Sequence, residues 1–289
     1  MNQFRPHIIK NLIVICLVCL TAGNIIGQVR YHCGNDSARV MQLVEKAAAG
    51  ETYGDKIVAA AKALQDIPLA APADNDLKGT LMIRLDSLSR REFINFSMAA
   101  AKTAELAAPT LRDFEKNLEN ISRKKGADEG FASQFLYGAD WVVDNVYRGN
   151  LKEMTEYIEN GNYRTKTLDY VSRHPEQFPA MADSLTAEKI KVIEYGFRSH
   201  RIPHLKKQSI SNKSIKEIIQ NGDIIILNSP DPDLDIYDIG IVSMVNGEPT
   251  LIHIPETLGK VSIDPYPLPR LFKVEGQFFY GFRWLRPQE

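Results

Sequence analysis

The sequence predicts an α+β fold, with helices in roughly the first two thirds packed on an antiparallel sheet built from the last third. Three observations predict it. Apolar residues recur at three- and four-residue steps through residues 37–148, which is helical spacing. At Gly222 the periodicity changes, and Asp223-Ile224-Ile225-Ile226-Leu227 reads as a buried strand. Asn246-Gly247 between two apolar runs is the strongest short hairpin signal.

The elements follow in order. Residues 37–49 and 54–64 read as amphipathic helices rich in Ala, Val and Leu, the second ended by Ile67-Pro68. Pro72 and Asp74-Asn75-Asp76 make a loop into a central helix over residues 90–107, which stops at Pro109. Ser89 is its expected N-cap, and Glu92 three residues on completes a capping box. Phe93, Phe96, Ser97 and Ala100 give it an apolar, close-packing face. Arg90-Arg91 is the anomaly. Two cations in a first turn face the positive end of the helix dipole, costing about 0.3–1 kcal/mol each if exposed. Something specific is therefore expected opposite them.

Helices over 111–121 and 131–148 follow, separated by the charged loop 124–130. Residues 168–191, with Pro175 and Pro179, read as a helical insertion. Strands are expected at 223–227, 238–245, 250–254, 259–264 and 277–285. A two-residue Asn246-Gly247 loop pairs Val245 with Glu248 and Gly240 with His253. Asp238 and His253 then become diagonal neighbours, with backbones roughly 7–8 Å apart, and Gly240 leaves a notch between them. Pro249 keeps a three-residue loop open as an alternative, which flips the pairing.

Composition bounds the function. The chain has 289 residues, 44% hydrophobic and 25% charged, enough for one or two globular domains with a sizeable core. Residues 1–27 read as a secretory signal: Arg5 and Lys10, an apolar run over 12–20, then Thr21-Ala22-Gly23. The run is short of the roughly 20 residues that span a bilayer. Cleavage is expected near Gly23 or Gly27, and the remainder, 28–289, as a single domain with a helical half over 36–207 and a β half over 220–286. The expected location is periplasmic or secreted, with no membrane-spanning segment in the mature chain. Removing Arg5 and Lys10 and no acid moves the formal charge from −1 to −3. That leaves no basic excess for a nucleic-acid backbone. Cys16 and Cys19 leave with the signal, so Cys33 is the one mature thiol and no internal disulfide forms. His32, His174, His200, His204 and His253 are dispersed, so no metal cluster is readable and no cofactor is expected. Asp231, Asp233 and Asp235 lack the glycine and terminal Glu of a calcium loop and read as a solvated connection.

An ordered set of segments carries a resemblance over about residues 36–286: Leu85-Asp86-Ser87-Leu88 before a helix, residues 133–141, Asn221-Gly222-Asp223-Ile224-Ile225, Asp238-Ile239-Gly240-Ile241 and Leu251-Ile252-His253. The chain resembles the N-acetylmuramoyl-L-alanine-amidase-like branch of the NlpC-type, papain-related cell-wall cysteine peptidases. The resemblance implies a papain-like α+β fold with a nucleophilic Cys at the start of the central helix, a base His on a strand and a third polar group on the next strand. Such a thiolate is favoured by the helix N-terminus and activated by the imidazole.

At the matching positions this chain has Leu88-Ser89-Arg90 for Leu-Asp-Cys, Asp238 for the base His, and a retained His253. Pro68-Leu69 stands for Pro-Tyr, and Gln134-Phe135-Leu136-Tyr137 for Arg-Leu-His-Tyr; Tyr137 and Trp141 fit. An Arg is protonated at any ordinary pH and is no nucleophile. The opposite charges of Arg90 and Asp238 predict a guanidinium–carboxylate bridge plugging the former dyad. The expectation is a catalytically inactive envelope protein that binds a peptidoglycan-type peptide or a protein partner, in a cleft lined by Leu69, Gln134, Leu136, Tyr137, Trp141 and His253. Two alternatives remain: an active amidase or peptidase using rearranged residues around His253, and a structural protein with a filled cleft.

Overall fold

In the computed structural model the described residues are 29–71, 81–124, 130–158 and 162–289. The expected signal segment, the loop at Pro72 and most of the charged loop 124–130 lie outside them. The first elements are β1 (Val29–Tyr31), α1 (Asp36–Ala47), α2 (Tyr53–Ala63), β2 (Leu81–Ile83), α3 (Arg90–Ala104), α4 (Leu111–Ser122) and α5 (Gly138–Tyr147). Thr52, Ser89 and Thr110 each close a capping box with an acid three residues on, which sets three of these helix starts locally. Next come β3 (Leu151–Glu153), α6 (Thr155–Ile158), β4 (Asn162–Lys166), α7 (Tyr170–Arg173), α8 (Ser184–Gly196), β5 (His200–His204) and α9 (Lys213–Ile218). The chain finishes with β6 (Ile224–Asn228), β7 (Ile236–Val245), β8 (Glu248–His253), β9 (Ser262–Pro267), α10 (Leu268–Val274) and β10 (Gly281–Pro287).

The main sheet is antiparallel throughout, in the order β3-β10-β6-β7-β8-β9. The hairpin closes on two residues, with Asn246 and Gly247 both at positive φ (53° and 80°), and pairs Val245 with Glu248 and Gly240 with His253. This is the two-residue alternative, so Asp238, Gly240 and His253 share the face counted for them.

The helices were expected on one face of the sheet, but both faces are covered. Ile224, Ile226, Ile239, Ile241 and Ile252 pack with α1–α5 in one cluster. Ile225, Leu227, Val242, Leu251, Phe282 and Trp284 pack with α9 and α10 in another. A strand covered on both faces reads as an unbroken apolar run, which is why β6 shows no alternation. The insertion over 168–191 is helical, as expected, in short pieces. The antiparallel pair β4–β5 flanks it, with His200 and His204 on β5. Its own small core joins Phe131, Tyr137, Leu168, Val171, Met181 and Ile190. Asp231 to Leu234 is largely exposed, as expected of a solvated connection, but its backbone is tied down and Asp235 is buried. Lys166 Nζ donates to the carbonyls of Ser229 (2.6 Å), Asp231 and Leu234, and the buried Asp235 accepts from the Ala139 amide at the start of α5.

Candidate functional site

The start of α3 is placed by backbone threading. Residues 67–70 run between two partners: Leu88 N donates to Pro68 O (2.9 Å), while Leu69 N donates to Gly259 O (2.8 Å) and Val261 N to Ile67 O (2.8 Å). This holds the helix N-terminus beside the connection from β8 to β9. Glu92 N donates to Ser89 Oγ at 3.2 Å, and the Ser89 amide donates to the Glu92 carboxylate at 2.7 Å. The cap therefore uses up Ser89, and the next residue, Arg90, projects sideways onto the sheet.

Arg90 Nε lies 3.2 Å from Asp238 Oδ1 and donates to the Ile254 carbonyl (3.1 Å), while Nη2 reaches Glu256 at 2.6 Å. Asp238 Oδ1 also accepts from the Ile239 amide (2.8 Å), and its Oδ2 lies 2.6 Å from His253 Nδ1. On the other edge of the ring, His253 Nε2 lies 3.3 Å from Asp264 Oδ2, whose second oxygen accepts from the Tyr266 amide at 2.7 Å. Four elements thus deliver one alternating chain of charge: Arg90 (α3), Asp238 (β7), His253 (β8), Asp264 (β9). Gly240 makes the close approach possible. A Cβ there would fall 2.5 Å from Leu251 Cγ and 2.9 Å from His253 Cβ. The expected notch at Gly240 is therefore filled.

With a carboxylate at each ring nitrogen, both nitrogens serve best as donors, which is the imidazolium form. Burial alone pulls the His253 pKa down, but the hydrogen bonds and charges of Asp238 and Asp264 outweigh it and raise it to about 9. A general base needs an unprotonated nitrogen facing its target, and this fully buried ring offers none near neutral pH. Glu275, at the end of α10, feels the same cluster. Burial pushes its pKa up, His253 counteracts, and Asp238 and Asp264 push it further.

Arg91 turns the other way, its Nη1 3.5 Å from the Tyr137 carbonyl. Burial draws its pKa down against the charges of Asp140, Glu92 and Asp235, and a guanidinium still keeps its proton. Each arginine of the anomalous pair is thus answered by acids brought in from distant strands and helices.

The family model for AmiA-like, N-acetylmuramoyl-L-alanine amidase-like proteins matches residues 69–276, most of the chain and the whole of this site. The chain belongs to that amidase-like family. An N-acetylmuramoyl-L-alanine amidase from Bacteroides uniformis has a similar fold, with a TM-score of 0.71 at 24% identity over 81% of this chain and 99% of the amidase. A candidate xylanase from Bacteroides fragilis aligns at TM-score 0.69 and 25% identity, over 78% and 98% of the two chains. A Legionella pneumophila protein aligns at 0.66 and 16%, over 88% and 94%. No curated protein matches the sequence.

Within this amidase-like fold, the structure brings Arg90, Asp238 and His253 together but does not place the other anticipated residues around an open cleft. Trp141 is fully buried in the main core, and Tyr137 is buried with its hydroxyl donating to Glu194 of the insertion at 2.6 Å. Both are packing residues, because α5 is clamped between the core and the insertion. Leu69 is half-buried in the 67–70 thread, Gln134 half-buried where it bridges Arg123, and Leu136 half-buried with its amide donating to Asp140. Sequence reasoning missed Asp264 and Glu256. Asp264 is placed by the pairing of β8 with β9: Ser262 pairs with His253, so Asp264, two residues on, shares its face. Glu256 lies in a turn with no periodicity to place it.

Proposed function

We propose that this protein is a non-catalytic member of the amidase-like family, an envelope component that recognises a peptidoglycan-type peptide or a protein partner. The observation that carries the reading is His253, enclosed with a carboxylate on each ring nitrogen, while the cysteine position of the resemblance holds Arg90 bound to Asp238. A thiol mechanism needs a nucleophilic thiol beside an imidazole free to exchange its proton; Arg90 offers no thiol, and both ring nitrogens of His253 are taken up by carboxylates. Arg90 and the mostly exposed Glu256 form the solvent-facing rim of the cluster, charged groups suited to the termini and carboxylates of a stem peptide. Burial of Tyr137 and Trp141 favours a second reading, a structural protein whose centre is filled. Export through residues 1–27 belongs to the same proposal. Among the described residues no helix is long and apolar enough to cross a membrane.

The test is hydrolysis and binding of muropeptides and stem peptides by the purified protein beside Arg90→Cys/Asp238→His. The proposal predicts no turnover by the natural protein, measurable peptide binding, and turnover emerging in the double variant. Turnover by the natural protein that disappears in His253→Gln would overturn it. Absence of both turnover and binding would favour the structural reading.

A further inference from the structure

Among the described residues outside that cluster, a second group of potential donors stands near the surface. His32, Cys33 and Asp86 point a nitrogen, a sulfur and an oxygen at one another, all within 4.8 Å. His32 Nε2 and Asp86 Oδ2 are 3.4 Å apart. A tetrahedral zinc centre with bonds of about 2.0–2.3 Å spaces its ligand atoms roughly 3.3–3.6 Å apart, so small side-chain rotations complete the geometry. Sequence spacing alone could not show this, because Asp86 arrives from another strand end.

The backbone beneath the three donors is fixed. His32 N donates to Ile83 O (2.9 Å), extending the parallel pairing of β1 with β2 and setting residue 32 beside the loop that carries Asp86. The Cys33 amide donates to the fully buried Asp36 at 2.8 Å, and Asp36 N donates back to Cys33 O at 3.1 Å. Arg39 spans both sides, bonded to Asp36 (3.3 Å) and to the Leu85 carbonyl. Cys33 is unpaired and half-buried, while His32 and Asp86 are exposed, so a cation reaches them without opening the fold.

We propose that His32, Cys33 and Asp86 form a three-ligand site for a divalent cation of the zinc class, with a fourth position open to water. The chemistry selects the class. A thiolate and an imidazole are soft to borderline donors that hard magnesium and calcium do not favour. A thiolate, a carboxylate and a neutral imidazole balance a charge of +2, and binding releases the thiol proton. The bound ion ties β1 to the loop three residues ahead of the α3 cap. This proposal is independent of the function proposed for the Arg90 cluster.

The experiment is titration of the purified, chelator-stripped protein with Co2+ and then Zn2+. The expected result is one cobalt per chain with a thiolate-to-cobalt charge-transfer absorption, displaced by zinc, and zinc protection of Cys33 from alkylation. Cys33→Ser should abolish the absorption, and His32→Gln and Asp86→Asn should each weaken zinc binding at least about tenfold, with unchanged circular dichroism. No charge-transfer absorption overturns the site. An absorption and affinity unaltered in both His32→Gln and Asp86→Asn also overturn it, since they would reveal a thiol acting alone.

Discussion

His253 meets Asp238 at 2.6 Å with the ring shut off from solvent, and its far nitrogen is met by Asp264. His32 meets Asp86 at 3.4 Å with about half of each side chain in water, 50% and 46% exposed, and a free thiol alongside. The residue types are the same and the consequences differ. Burial makes the first pair a fixed structural charge, because an unpartnered ion there would be expensive. Exposure leaves the second pair cheap to rearrange and able to take a ligand. A histidine beside an aspartate is therefore not a function in itself; what decides its chemistry is how many of its nitrogens are spent and whether water can replace them.

The comparison breaks most sharply at Asp238. Asp238→Ala leaves Arg90 and the buried imidazolium without their shared partner and should cost about 3–5 kcal/mol in denaturant unfolding; a loss below about 1 kcal/mol would mean the cluster is solvated after all. The pH dependence comes next. His253 titrates near 9 when folded and about 6.5 when unfolded, so its contribution is fully present below pH 6.5 and lost as pH rises through 9. The loss is of order 3 kcal/mol between those limits. Unfolding curves across that window for the protein and for His253→Gln should diverge accordingly, and parallel curves would contradict the assignment. Gly240→Ala should cost about 1–3 kcal/mol by driving Leu251 and His253 apart, measurable as a lower midpoint in urea. Glu256→Gln, at the exposed rim, should cost no more than about 1 kcal/mol. Smallest of all, Asp86→Asn in metal-free protein should change stability by less than about 0.5 kcal/mol, while the same kind of change at Asp238 does not.

Much of the site was legible because it rests on local chemistry. Ser89 and Glu92 announce the cap, and a two-residue Asn246-Gly247 turn makes Asp238 and His253 neighbours, while the meeting of Arg90 with Asp238 follows only from the resemblance, which sets both at the positions of the dyad. Their opposite charges then suggest the bridge. Asp264 escaped because the pairing of β8 with β9 has no tight turn to count from, and it shows a register shift between Thr250 and Ile252. Tyr137 and Trp141 escaped in the opposite sense: aromatic residues near a family motif read as cleft walls, whereas only tertiary packing shows whether their outer face is covered. The short strands β1 to β5 were invisible because runs of three to five residues carry too little periodicity, and β4 and β5 exist only because they pair with each other. Asp86 joined His32 and Cys33 through the parallel pairing of β1 with β2, a long-range contact without any sequence signature.

The most direct measurement of the central claim is a nitrogen-15 NMR titration of the His253 ring. The account predicts an imidazolium with both nitrogens protonated through neutral pH, titrating near 9. A ring that loses its proton near 6.5 and stands neutral at pH 8 would restore a general base to this centre and contradict the account.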